Sequence, residues 1–232
     1  MTETKDVPIR DASTVIVMRD KATRPRVLMG QRGAKAAFMP NKFVFPGGAV
    51  DKGDAHIPLA NPLADGCRAR LAEDAARDMS GALAAAAIRE LWEETGQILG
   101  QMAAWTDPVP DDWIDFANRG YLPDASALSF VFRAITPPGR PRRFDARFFL
   151  VDADALASDP DDFDAACDEL SHLQWVPVDE VRKLDMPFIT EVVLAEIAAR
   201  ATDDSVPDSV PFFKNNDEAS LFLRLNGRPM TD

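Results

Sequence analysis

The sequence predicts an α/β sandwich, a mixed β-sheet with helices on both faces. Three observations carry this. Short β-branched or apolar runs bounded by Gly, Pro, Asp and Asn recur along the chain. Between them, several stretches place apolar residues at helical spacing. The two kinds alternate in irregular order, with no internal repeat and no linker that would divide the chain. With 232 residues, 46% of them hydrophobic, the chain can bury one substantial core. Residues 1–232 are therefore read as a single domain.

The elements follow in order. Residues 14–18, 26–31 and 42–45 read as strands, and the third runs into Pro46-Gly47-Gly48. Residues 51–61 have loop chemistry. Leu71, Ala75 and Met79 recur every four residues, with Glu73, Asp74, Arg77 and Asp78 on the other side, which predicts a helix there. Ser80-Gly81 punctuates: Gly81 can end one helix and Ser80 can cap the next. The second helix spans 82–95 and stops at Gly96. Residues 111–119 read as a short helix. Residues 128–135 and 147–151 read as strands around a Pro/Gly/Arg turn at 136–141. A strand at 172–176 and a helix at 188–201, with Val192, Val193 and Ile197 on its apolar side, complete the pattern. Beyond Thr202 the composition is mixed and no element is assigned.

Charge and cysteine usage narrow the function classes. The net charge of −12 repels nucleic acid, and no stretch is basic enough to form a duplex-binding stripe. Cys67 and Cys167 stand a hundred residues apart without CxxC or Cys/His spacing, so two ordinary thiols in a reducing compartment are expected. The first ten residues hold no apolar run of signal-peptide length, and the alanine-rich run at 82–88 is too short to cross a bilayer. The last four residues match no peroxisomal or retention signal. The expectation is a cytoplasmic protein with no membrane partner.

One stretch carries chemistry: Arg89-Glu90-Leu91-Trp92-Glu93-Glu94-Thr95-Gly96. Glu90, Glu93 and Glu94 are spaced i, i+3 and i+4, so their carboxylates share one helix face and repel one another. A hard divalent cation would remove that cost and leave coordination positions for phosphate oxygens. A solvated acidic face explains the spacing equally well. The upstream Phe45-Pro46-Gly47-Gly48-Ala49-Val50-Asp51-Lys52-Gly53-Asp54 shifts the balance, because glycines after a strand let backbone approach a ligand closely.

Together the glycine turn and the Arg-Glu-x-x-Glu-Glu-x-Gly helix resemble the Nudix hydrolase signature. Gly48 begins that pattern and Asp54 stands five residues on. Arg89, Glu90, Leu91, Glu93, Glu94 and Gly96 complete it. Three positions depart from it. Asp54 replaces a Glu, Gln97 replaces a final apolar residue, and 34 residues separate Asp54 from Arg89 where the family has seven. This is a box interrupted by a helical insertion at 55–81. Lengthening the loop about fivefold costs only about 1.4 kcal/mol in closure entropy. Lying between the turn and the glutamate helix, the insertion is expected on the rim of the cleft. The interruption, with Arg143-Phe144-Asp145-Ala146-Arg147-Phe148-Phe149 and Ile135-Thr136-Pro137, resembles a branch that includes peroxisomal coenzyme A diphosphatases. The resemblance covers roughly residues 10–200.

The resemblance implies a Nudix-type α/β/α sandwich and a diphosphatase using Mg²⁺ or Mn²⁺. It implies that Glu90, Glu93 and Glu94 hold the cation, with a backbone carbonyl of Gly47 completing the site. Glu90 is a ligand or the base that activates water, and Arg89 orients a glutamate. The expected partner is a small-molecule diphosphate: coenzyme A or an acyl derivative first, a nucleoside diphosphate sugar or dinucleotide second. A homodimer is left open. A non-catalytic Nudix-fold binding protein is disfavoured, since such proteins commonly lose motif glutamates and all three are present. Arg32 and Arg147 are candidate substrate contacts, the latter within a cluster with Arg140, Arg142 and Arg143 that reads equally as a solvated turn. Glu169 is a candidate further carboxylate in an acidic stretch, 159–169, that reads more readily as a solvated loop. Trp92 is expected to pack the helix on the sheet.

Overall fold

The computed structural model describes residues 7–201, 207–215 and 220–227. Eleven strands and four α-helices are formed among them: β1 (Ile9–Arg19), β2 (Arg26–Arg32), β3 (Phe43–Val44), β4 (Gly47–Ala49), α1 (Asp65–Ala72), α2 (Ser80–Thr95), β5 (Gly100–Met102), α3 (Ile114–Asn118), β6 (Tyr121–Pro123), β7 (Ser129–Ile135), β8 (Arg143–Asp152), β9 (Leu170–Pro177), α4 (Phe188–Arg200), β10 (Pro211–Asn215) and β11 (Ser220–Arg224). Nine strands make one sheet in the order β11-β10-β7-β8-β1-β2-β3, with β4 also on β1 and β9 also on β2; β5 and β6 form a separate pair. The β1/β8 and β7/β10 pairs are parallel and the others antiparallel. The sheet is thus mixed, as expected.

The central strand shows why both faces must be covered. Val15, Ile16, Val17 and Met18 of β1 are all fully buried, a continuous apolar run rather than an alternation. Val15 and Val17 face a core with α1, α2 and the aromatic residues around α3. Ile16 and Met18 face the opposite core with Val193, Leu194 and Ile197 of α4. On the first face α2 lies directly on the sheet. Its alanines 82 and 84–87 are buried, and small side chains let the helix sit close enough for Ser13 Oγ to donate to the Leu83 carbonyl (2.7 Å). The helix ends at Gly96, left-handed at φ 73°, whose N–H bonds the Trp92 carbonyl.

Several local expectations are corrected. The helix predicted over 71–79 lies earlier, at Asp65–Ala72. Glu73 is extended and Asp74 is left-handed at φ 53°. Tertiary partners hold this break: Asp74 accepts from the Asn226 amide, and its carbonyl accepts from Arg133. Ser80 opens α2 but does not cap it: the N-cap position is Met79, without a side-chain cap, and Asp78 just before it accepts the Ser80 N–H at 2.9 Å. The chain beyond Thr202 adds β10 and β11 to the sheet; residues 202–206, 216–219 and 228–232 lie outside the described residues.

Much of the segment between Asp54 and Arg89 is core, while Ala55 and residues 77–82 line an open cavity with Asp51 and Lys52. Ile57, Leu63, Cys67 and Leu71 belong to the α2-side core. Its hydrogen bonds run to Pro123, Asp124, Phe130, Arg133 and Asn226. It covers the sheet face over β7, so its apolar residues are core residues.

Candidate active site

The site is built where the β3–β4 turn meets the C-terminal half of α2. Strand β4 pairs with β1 at Ala12–Ala49, Ser13–Gly48 and Thr14–Gly47. This fixes the glycine turn beside the helix. A side chain on Gly48 would collide with the Glu90 carboxylate, and one on Gly47 with the backbone of Ser13 and Thr14. Gly47 is therefore required by close approach to backbone, whereas a side chain at Gly48 would displace the Glu90 carboxylate. The Gly47 amide, rather than its carbonyl, is the group seen engaged: it donates to Glu94 Oε2 at 2.8 Å.

Arg89 organises the centre. Only 5% exposed, it grips Asp54 with two bonds (3.1 and 3.2 Å) and donates to Glu90 Oε1 (2.9 Å), Glu93 Oε2 (3.2 Å) and the Ala49 carbonyl (3.1 Å). Burial alone would lower its pKa, but Asp54, Glu90 and Glu93 outweigh this and hold the guanidinium charged. Asp54, 2% exposed, also accepts the Asp51 amide (2.7 Å) at the start of a 3₁₀ turn, Lys52–His56. That turn brings the shorter carboxylate within reach of Arg89.

The three glutamates differ. Burial pushes the Glu90 carboxyl up to about 7, Arg89 opposing and Glu93 adding to the rise. Glu93 is half-buried and also raised by burial. Glu94 is 1% exposed; burial first, then the charge of Glu90, raise it well above the usual carboxylate range. Its Oε1 is buried without a hydrogen-bond partner among the described residues, and the nearest cation, Arg32, stands at 3.9 Å. An anion buried this way is costly unless a positive charge is supplied. The carboxylates are not a ready-made ligand set. Among the described residues no three acidic, histidine or cysteine side chains are arranged to hold an ion, because Glu90 and Glu93 turn to Arg89 and Glu94 to Gly47.

The acidic stretch 159–169 keeps its carboxylates at the surface, as expected of a solvated loop, but its backbone is not free. It is stapled onto the end of α2. Gln97, fully buried, donates its amide to the carbonyls of Asp159 and Asp162 (3.1 and 2.7 Å) and accepts from Ser158 Oγ. The Cys167 amide donates to the Glu93 carbonyl (2.8 Å). Gln97 thus uses a polar side chain where an apolar one was expected, because it faces loop backbone. The staple brings Glu169 to the site, where it binds Arg32 at 2.6 Å.

The comparisons with known proteins agree with this geometry. No family model matches the chain. A curated protein of Caenorhabditis elegans named "Putative nudix hydrolase 7" is 33% identical over 173 residues, which is 69% of this chain and 49% of that protein. The chain thus spans about half the length of the curated relative it matches. A crystal structure of a NUDIX hydrolase from Alicyclobacillus acidocaldarius superposes with a TM-score of 0.61 at 26% identity, covering 88% of this chain and all of that one. In sequence and in fold the chain is similar to Nudix hydrolases.

Within this Nudix fold the expected substrate arginines separate. Arg32, at the end of β2, reaches the glutamates. Arg147 does not: it is buried on the sheet, bonded to Asp11 Oδ1 (2.6 Å) and the Asp145 carbonyl (2.7 Å). The expectation that Arg147 meets substrate is corrected, because Asp11 and Asp145 already occupy it. Asp145 in turn holds Arg133 through two bonds (2.9 and 2.7 Å). Sequence reasoning missed this ladder; its signal was Arg133, a charge inside the apolar strand β7. Trp92, expected to pack the helix on the sheet, lies edge-on against Phe116 of α3 within the α2-side core. Among the described residues no helix is long and apolar enough to cross a membrane.

Proposed function

We propose that this protein hydrolyses a diphosphate bond in a nucleoside diphosphate-linked small molecule, with Mg²⁺ or Mn²⁺ held by Glu90, Glu93 and Glu94 beside Gly47. The observation that carries the reading is Glu94, whose buried Oε1 has no donor among the described residues in a cluster with excess carboxylate. Oxygen donors of this kind suit a hard divalent cation. When bound, such an ion neutralises charge on diphosphate oxygens and lowers the pKa of water.

The chain's own groups do the rest. Arg89 holds one oxygen of Glu90 and one of Glu93, which limits how far either carboxylate must turn to meet the ion. Glu90, with one oxygen held by Arg89, takes the proton of the attacking water on the other. Arg32, anchored by Glu169, binds a diphosphate oxygen. We infer coenzyme A or an acyl-coenzyme A as substrate. The long spacing from Asp54 to Arg89 and the run from Arg143 to Phe149 support this by resemblance.

The test is product analysis by mass spectrometry on coenzyme A, nucleoside diphosphate sugars and dinucleotides, each with Mg²⁺, Mn²⁺ or chelator. Cleavage of coenzyme A to adenosine 3′,5′-bisphosphate and 4′-phosphopantetheine, lost with chelator, is expected. Absence of diphosphate cleavage with either metal would end the reading.

A further inference from the structure

The sheet fixes Arg32 but not its partner. Pairing between β2 and β9 ends at Arg32–Leu170, and Glu169 lies one residue beyond. The Glu169 side chain is 53% exposed, yet it meets Arg32 at 2.6 Å. An exposed ion pair on a loose backbone is worth almost nothing. The backbone on the far side of Glu169, the loop 157–168, therefore decides whether this pair holds. The nearest fixed point of that loop is the Cys167 N–H, which donates to the Glu93 carbonyl at 2.8 Å. Just before it, Ala165 packs on Gly96, where an added side chain would come within 3.0 Å of the Ala165 Cβ.

Gln97 holds the other end of the loop. Fully buried, it donates through Nε2 to the Asp159 and Asp162 carbonyls and accepts from Ser158 through Oε1. Ser158 Oγ also accepts the Ile98 N–H at 2.9 Å. The Trp175 indole donates to the Pro160 carbonyl (3.0 Å), and Arg19 meets Asp161 at the surface (2.6 Å). The Gln97 bonds lie deepest, where an acceptor left without its donor costs most. Arg32 also stands 3.9 Å from Glu94. Once released by Glu169, it has a second carboxylate to turn to.

We infer that Gln97 is a positioning residue for substrate: by latching the loop to the end of α2 it holds Glu169 against Arg32 and keeps Arg32 directed at the diphosphate. The inference rests on the reading of Arg32 as a diphosphate contact. Without the latch Glu169 keeps its charge but samples many positions. Arg32 is then no longer pre-set, and binding weakens. Bond cleavage by the groups on α2 does not.

Gln97→Met keeps the length and bulk of the side chain and removes its donor and acceptor. The probe is the methylene analogue of ADP, whose diphosphate bridge cannot be cleaved. Its affinity is measured calorimetrically with Mg²⁺ for wild type, Gln97→Met, Glu169→Gln, the double variant and Arg32→Met. Each of the first two variants should weaken binding about fivefold. The double variant should match the weaker-binding single variant within about twofold, because both act on one contact. In turnover, Gln97→Met should raise KM about fivefold and leave kcat within about twofold. Hydrogen exchange should show the Cys167 amide opening about tenfold more often, with the middle of α2 unchanged. Effects that multiply in the double variant, unchanged Cys167 exchange, or a change confined to kcat overturn the inference. So does unchanged affinity in Gln97→Met beside weakened binding in Arg32→Met. An Arg32→Met variant that binds like wild type removes the diphosphate contact and the inference with it. Absent turnover with the binding pattern retained overturns only the hydrolase reading. If Gln97→Met melts below the assay temperature, Ser158→Ala breaks one bond of the latch and carries the same cycle, with an effect of about threefold.

Discussion

Two charge clusters lie on the α2 side of the sheet, one buried and one partly open, and they are built on opposite terms. In the ladder Arg133–Asp145–Arg147–Asp11, two arginines meet two aspartates across β7, β8 and β1, and Arg133 also lies 4.4 Å over the Phe212 ring. Each charge there has its opposite. In the cluster around α2, Asp54, Glu90, Glu93, Glu94 and Glu169 face only Arg89 and Arg32. Five carboxylates against two guanidiniums leave an excess that the protein does not neutralise. A balanced buried cluster is explained by folding alone, whereas an unbalanced one in a cleft marks a place where a ligand completes the charge.

The largest expected effect comes from the unbalanced cluster. Glu94→Gln should lower kcat/KM roughly 10³-fold while the metal-free protein melts at the same temperature or higher, because an uncompensated buried charge has been removed. Steady-state kinetics with parallel melts check this. A loss under about tenfold, or a clear drop in Tm, would erase the contrast with the ladder.

The ladder should answer in the opposite way. Asp145→Ala strands two buried arginines and should cost about 3–5 kcal/mol in denaturant unfolding. The protein that remains folded should keep its metal dependence and its KM. A selective kinetic defect at unchanged stability would show that the ladder belongs to the site after all.

Leu63→Ala or Leu71→Ala should cost about 2–5 kcal/mol and leave the ratio of kcat/KM between coenzyme A and a nucleoside diphosphate sugar unchanged. A shifted ratio at full stability would return the segment between Asp54 and Arg89 to the cleft rim.

The smallest effect is a pH dependence. A carboxyl raised in the folded state binds a proton there that the unfolded chain has already released. Between the ordinary 4.5 and the value of about 7 at Glu90, stability of the metal-free protein should therefore fall as pH rises. Saturating Mn²⁺ or Mg²⁺ should raise Tm by a larger amount at pH 7.5 than at pH 5.5, since binding requires the deprotonated carboxylates. Calorimetric melts across that range measure it. An equal metal effect at both pH values would separate the raised carboxyls from cation binding.

Much of this was legible in the residues. Arg89, Glu90, Glu93, Glu94 and the glycine pair stand close in sequence or in a recognisable pattern, and helical spacing alone puts the carboxylates together. The α2 boundary at Gly96 was readable because only a residue tolerant of positive φ ends a helix that way. The weight of Asp54 was not readable: its reach to Arg89 depends on a 3₁₀ turn that pattern reasoning does not resolve. Gln97 looked like a defect in the motif until the loop it holds was in view.

By itself the sequence determined the sandwich, the glutamate face and the glycine approach, because each depends on contacts a few residues apart or on the two-sided apolar pattern of the central strands. Only the tertiary structure decided that Arg147 is a ladder residue, that Leu63 and Leu71 belong to the core, and that Glu169 reaches Arg32. Those outcomes turn on partners more than fifty residues away. A charged or apolar side chain carries its chemistry in the sequence, but which opposite charge or surface it meets is set by strand register and helix placement. Burial then determines what that meeting is worth.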